Sequence, residues 1–462
     1  MTERDLVLKA SVRRLLWRIG FSTKVDVPLR AYVREGTRNR PGIEAYTDLD
    51  VLGVMIGPDA NVHAAIADCK TSLRGSTERM FWTRGVADFF GANDGYLVRS
   101  HDVTAASRQL ASRLGIAVLT PPDLAALEAS YPTAAPVDEP ALAFLFSPSA
   151  IGRYRSAIRR VDKGLLPLVD FCESDYWVYD QHRNLLQVVA HLRDAAGNLH
   201  PNNAVHRAIF FECAWLYSLS VAHAVQYVRR TQVTNVDTAM REYLFGGQLG
   251  LREKRELAAV LRRATGREQA SADEGLLPTY FSPLLEVVTR FLRRPQHLTD
   301  VLRYSEWASE ASIAERAEAV RDVFPAFDGL AGKLLADVCS FLVSAAVLDT
   351  QFRAISRDLL SPTPPMRPEP AQATAPPTTE RVSPTEASDH SSSEASGATF
   401  HVPSAPPSIA ANPRPNTGST SRHAGDAVGN SSSSQGKAVE APSHERDLPV
   451  QEELPGSEND GI

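Results

Sequence analysis

Cysteine is scarce in this sequence. Cys69, Cys172, Cys213 and Cys339 are the only four in 462 residues. None belongs to a C-x-x-C pair or has a histidine at zinc-ligand spacing, which excludes an ordinary zinc module. Unpaired thiols in a chain this long fit a reducing, cytoplasmic setting. The opening stretch MTERDLVLKASVRRLL has no unbroken apolar run, so no signal peptide is expected. Long hydrophobic runs are also missing: Glu212 and His223 interrupt one candidate and Asp337 another, so no membrane partner is expected. There is no Gly-rich phosphate loop, haem motif or Ser-His-Asp arrangement. Gly246-Gly247-Gln248 matches the tripeptide of peptide-release factors but lacks its surroundings. Strong charge of either sign is absent as well. The net charge is −6, and residues 361–462 contain 13 acidic against 6 basic residues, which leaves the rest at about +1. That balance neither requires nor forbids a nucleic-acid partner.

Three segments differ in pattern. Residues 1–132 alternate between helical and strand-like periods. The sequence predicts a helix ending at Gly20, strands over Val25–Val33, Tyr46–Ile56 and Val62–Lys70, and a helix over about Thr77–Phe90. A strand (Tyr96–Arg99), a helix (Thr104–Leu114), a strand (Ile116–Leu119) and a helix (Pro122–Ala129) follow. This is an α/β domain. Residues 137–360 are helical throughout, with VHRAIFFECAWLYSLSVAHAVQYVRR apolar nearly all round, as in a central buried helix. Residues 361–462 are rich in Pro and Ser and too poor in apolar residues to offset the entropy of ordering, so a disordered tail is expected.

The chemistry is concentrated in EAYTDLDVLGVMIGPDANVHAAIADCKTS, residues 44–72. A hairpin centred on Asp59 sets Asp50 and Asp68 directly opposite each other, about 4.5–5.5 Å apart on one face. Two carboxylates that close call for a cation between them, and oxygen ligands suit Mg²⁺ or Mn²⁺. Lys70, two residues beyond Asp68, projects from the same face, where an ammonium can activate water or stabilise charge on a phosphate. Cys69 alternates to the opposite face, leaving its carbonyl as a candidate metal ligand. Glu44 and Asp48 share strand parity with Asp50 and are candidate further acids, with solvated strand-end acids as the alternative. Arg79 and Arg84 on the next helix are candidate phosphate contacts or members of a solvated helix face. The basic runs RYRSAIRRVDK and LREKRELAAVLRRATGRE either line a nucleic-acid channel or are solvated faces.

This arrangement resembles the PD-(D/E)xK superfamily of restriction-endonuclease-like nucleases, with Asp50, Asp68 and Lys70 at the three motif positions. LDVLGV after the first acid and AIADCKTS around the second are similar to Mrr-type and CRISPR-associated members. GYLVRS and ASRQLASRLGIAVLTPPDLAAL resemble the closing strand-helix-strand-helix of Mrr-type domains. Leu49 stands where the family name places proline, and the likeness ends near residue 130. The resemblance implies a restriction-endonuclease-like fold and a metal-dependent endonuclease that cleaves DNA rather than RNA, in the manner of a bacterial or phage-defence effector. The competing expectation is an inactive nuclease-fold scaffold that binds nucleic acid or a protein, with the helical segment mediating partner contact or self-association.

Overall fold

The structure is a computed structural model that describes residues 3–34, 41–71, 76–131, 137–265 and 275–361. The expected tail, residues 361–462, therefore lies outside the described residues apart from Ser361. Helix α1 (Glu3–Ile19) leads into β1 (Ser22–Arg34), β2 (Pro41–Ile56) and β3 (Val62–Lys70). Then come α2 (Ser76–Phe90), β4 (Asp94–Arg99), α3 (Ala105–Arg113), β5 (Ile116–Leu119) and α4 (Pro121–Ala129). The five strands form one mixed sheet in chain order, with β1, β2 and β3 antiparallel and β3, β4 and β5 parallel. Each element expected here is present, and β1 and β2 begin earlier than the sequence suggested.

Local chemistry sets the boundaries. Gly20 ends α1 at a φ of 125°, a conformation that is unstrained only without a Cβ. Thr104 caps α3 by accepting from the Ser107 N–H. Thr120 and Asp123 form a reciprocal capping box on α4, with proline at its first turn.

The sheet is buried on both faces. Val51, Ala65, Ala67 and Cys69 pack on one side with Leu8, Val12 and Leu16 of α1. Leu52, Val54 and Ile66 join a larger core built with the helical segment. That segment comprises α5 (Pro148–Ile158), α6 (Leu166–Glu173), α7 (Gln181–Ala195), α8 (Ala204–Thr231), α9 (Val236–Leu244) and α10 (Gln248–Ala264). It continues with α11 (Phe281–Leu292), α12 (Leu298–Ile313), α13 (Val320–Val323), α14 (Gly329–Ala345) and α15 (Gln351–Leu360). Helix α8 is long and apolar enough to cross a membrane, yet 89% of its most apolar window is buried inside the protein. It is the central helix that its all-round apolar sequence implied.

The described residues of the segments 1–132 and 137–360 fall within one compact unit. A buried polar cluster ties them together. Glu306 on α12 accepts hydrogen bonds from Trp17, Ser22 and Thr23 and pairs with Arg13 at 2.6 Å.

Candidate active site

The hairpin turns on Gly57–Asn61. The Gly57 N–H donates to the Asn61 carbonyl, and the Asp59 carboxylate accepts from the Asn61 N–H. Ile56 pairs with Val62, and the ladder runs in step to Val51 opposite Ala67. One step further, this register sets Asp50 across from Asp68. On the other side of β2, Val25 pairs with Val51 and Val27 with Leu49, so Asp26 falls across from Asp50, and Pro28 pairs with Asp48. Asp50 is therefore the middle of a row of three aspartates on three adjacent strands. Asp26 adopts a φ of 59°, a left-handed conformation that Asp tolerates better than most residues.

Asp50 is 5% exposed. Its Oδ1 lies 2.6 Å from Lys9 Nζ, its Oδ2 accepts from the Cys69 N–H at 2.7 Å, and Lys70 Nζ is 3.7 Å from Oδ2. Lys9 also donates to Asp26, which pairs in turn with Arg155 of α5. Burial alone would lower the Lys9 pKa, but Asp50 and Asp26 outweigh it and hold the ammonium above its usual value. Lys70 bridges outward to Asp68 at 3.2 Å. Asp68 is gripped by two guanidinium nitrogens of Arg79, whose Cζ lies 3.4 Å from the centroid of the Trp82 ring.

The carboxylates that converge are those of Asp26, Asp48 and Asp50, each offering an oxygen within 4.8 Å of the others. An all-oxygen donor set of this kind fits a hard divalent cation such as Mg²⁺ or Mn²⁺. The trio opens into a cleft of about 730 Å³ that also holds Asp5, Lys9, Lys70, Thr71, Arg155 and Arg159. The site balances its own charge. Asp26, Asp48, Asp50 and Asp68 face Lys9, Lys70, Arg79 and Arg155.

The expected residues separate into groups. Asp50, Asp68 and Lys70 meet, and Asp48 joins Asp50 at the cleft. The Asp68 carboxylate is outside the converging trio and is held by Arg79. Cys69 packs its side chain in the core beside Val51, and burial pushes its thiol well up. Glu44 is exposed on β2 opposite Ala31, outside the cleft. Arg84 pairs with Asp88 along the exposed side of α2 and does not line the cleft.

Sequence reasoning missed Lys9 and Asp26 and found Arg155 and Arg159 only as part of a basic run. Lys9 is 4% exposed in the structure, whereas a charge on a helix normally reads as solvated. No family model matches this chain, and neither does any curated protein or solved structure.

Proposed function

We propose that this protein is a metal-dependent nuclease of the PD-(D/E)xK type that hydrolyses phosphodiester bonds of DNA, with Mg²⁺ or Mn²⁺ as cofactor. The observation that carries the reading is the convergence of Asp26, Asp48 and Asp50 beside Lys70 in an open cleft. On this reading the three aspartates hold the ion. The ion supplies Lewis acidity and lowers the pKa of a bound water. Lys70, anchored between Asp50 and Asp68, presents an ammonium to charge developing on the phosphate. Arg155 and Arg159, brought by α5 to the same cleft, meet the nucleic-acid backbone. Arg79 has two partners in turn, Asp68 in the free protein and a phosphate in the complex. Its departure would free the Asp68 carboxylate beside Lys70.

One observation favours a second reading, in which the fold binds nucleic acid without cleaving it. Lys9 lies between Asp26 and Asp50, on two of the three carboxylates that would hold the ion. An ammonium that already offsets two of the three carboxylates lessens the need for a metal. Incubation of the full chain with single- and double-stranded DNA and RNA, with and without Mg²⁺ and Mn²⁺, separates the two. Metal-dependent cleavage of DNA that Asp50→Asn removes supports the first reading. Binding without cleavage in every metal condition supports the second.

A further inference from the structure

A second cavity, of about 830 Å³, shares no lining residue with the acidic cleft. It lies between the tip half of the β2–β3 hairpin, the end of α2 and helices α7, α8 and α9. Its volume is in the range of small-molecule sites.

Two aromatic pairs line it. Phe90 and Trp177 have ring centroids 6.0 Å apart, and Tyr227 and Tyr243 have theirs 5.3 Å apart. Aromatic faces of this kind stack on planar ligands, and nucleobases are the usual partners.

Three polar atoms among this lining are buried without a hydrogen-bond partner among the described residues: Asn184 Oδ1, His223 Nδ1 and Tyr243 Oη. Asn184 and Tyr243 are only 4% and 5% exposed. Asn184 is held in place by donating its Nδ2 to the Tyr176 carbonyl at 3.0 Å, which leaves the other end of the amide free. Orphaned buried polar groups are rare in folded proteins and call for an explanation. Three of them around one aromatic cavity point to hydrogen bonds that a ligand completes. Burial pushes the His223 pKa down to about 4, so its imidazole is neutral and able to donate or accept.

The rim supplies the remaining chemistry. Arg230 is exposed at the edge, and its NH2 donates to the neutral side-chain amide oxygen (Oδ1) of Asn61 at 2.9 Å, a bond that leaves its charge available. Gly246 and Gly247 have φ of 79° and 109°. A Cβ on Gly246 would lie 3.2 Å from the His182 ring, so only bare backbone closes the cavity there.

We propose that this cavity binds a nucleoside monophosphate unit, with the base between the aromatic pairs, its edge on Asn184 and Tyr243, and its phosphate at Arg230. An amide against a base edge and an arginine against a phosphate are the matching pairs. The inference does not depend on the nuclease reading.

The test titrates the full chain in EDTA with AMP, GMP, CMP and UMP, with adenosine, and with a 5′-phosphorylated hexanucleotide, read by calorimetry and by quenching of tryptophan fluorescence. Saturable binding of a monophosphate is expected. Arg230→Ala should weaken it about tenfold while leaving adenosine unchanged, and Tyr227→Leu should weaken both. Binding of the hexanucleotide alone, with the same dependence on both residues, would assign the unit to a strand end. No saturable binding of any probe up to about 5 mM overturns the proposal. So does binding that is indifferent to Arg230→Ala and Tyr227→Leu, or binding lost in Asp50→Asn, which would move the nucleotide to the acidic cleft.

Discussion

Lys9 Nζ lies 2.6 Å from Asp50 Oδ1, and both side chains are nearly inaccessible, at 5% and 6% exposure. An ammonium therefore sits where a divalent ion would have to bind, and the two readings of the site diverge at this contact. Lys9→Met tests them against each other. Without metal, the variant should lose about 3 kcal/mol, because Asp50 and Asp26 keep only their remaining partners. If the cluster is a metal site, millimolar Mn²⁺ should restore much of the melting temperature, because the competing cation is gone. A variant that melts early and ignores Mn²⁺ marks Lys9 as a purely structural counter-ion.

Asp50 and Asp68 should not be equivalent in metal binding. Asp50 belongs to the converging trio, whereas Asp68 is committed to Arg79 and Lys70. Calorimetry with Mn²⁺ on the free protein should show Asp50→Asn weakened by about tenfold or more and Asp68→Asn by much less. Equal losses from both would place the ion between them, as the hairpin register taken alone suggests.

That contrast shows what was legible in the sequence. The hairpin could be read because alternation and the turn residues Gly57 to Asn61 fix a register centred on Asp59, which brings Asp50 and Asp68 together. Asp26 could not, because its backbone leaves the extended conformation and breaks the alternation that would have marked its face. Lys9 carries no local signal, since its partners come from two strands further along the chain. The run RYRSAIRRVDK was visible as a basic surface. Its destination beside Asp26 depends on the packing of α5 against α1, a contact between segments more than 100 residues apart.

The junction between the sheet and the helices rests on buried charge. Arg13 and Glu306 are each 2% exposed, and Glu306 also accepts from Trp17, Ser22 and Thr23. Burial alone would raise the Glu306 pKa, but Arg13 and Lys24 together with the hydroxyls of Ser22 and Thr23 hold it below its usual value. Glu306→Gln should lower stability by about 3 kcal/mol in chemical denaturation, because Arg13 loses a charged partner in a site that water does not reach. Residues 1–131 expressed alone lack Glu306 entirely and should unfold more readily than the full chain. A Glu306→Gln protein with an unchanged denaturation midpoint would show that the cluster contributes little.

Acid should act through histidines that are buried or half-buried in the fold. His223 is held near a pKa of about 4 by burial, against 6.5 in the unfolded chain. Between those values the unfolded state takes up a proton and the folded state does not, so stability falls as the pH drops from 6.5 towards 4. Burial also lowers the pKa values of His182, His191 and His206, which act in the same direction. Glu173, Asp300 and Glu310 have pKa values raised by burial and oppose the trend. The difference between the wild type and His223→Gln isolates the one group. The variant's melting temperature should fall less steeply between pH 7 and pH 5, and parallel curves would show that folding does not shift the His223 pKa.

Lys70 provides the sharpest functional test. It is 35% exposed, bridges Asp50 and Asp68 and opens onto the cleft, so its ammonium can meet a substrate without rearrangement of the fold. Lys70→Ala should leave folding intact, because Asp50 keeps Lys9 and the Cys69 N–H while Asp68 keeps Arg79. Metal should still bind, since the carboxylate trio is untouched. DNA should still bind through Arg155 and Arg159. Turnover should nevertheless fall about a hundred- to a thousandfold, because the lost charge acts mainly on the transition state. Glu44→Gln, on the same strand as Asp50 but exposed and outside the cleft, is the matched control and should cleave at close to the wild-type rate. The comparison is made under single-turnover conditions with saturating Mg²⁺ or Mn²⁺, so that weaker binding cannot pass for slower chemistry. Metal-dependent cleavage that is equally fast in Lys70→Ala and Glu44→Gln would remove Lys70 from the chemistry and send the search for the active centre elsewhere in the molecule.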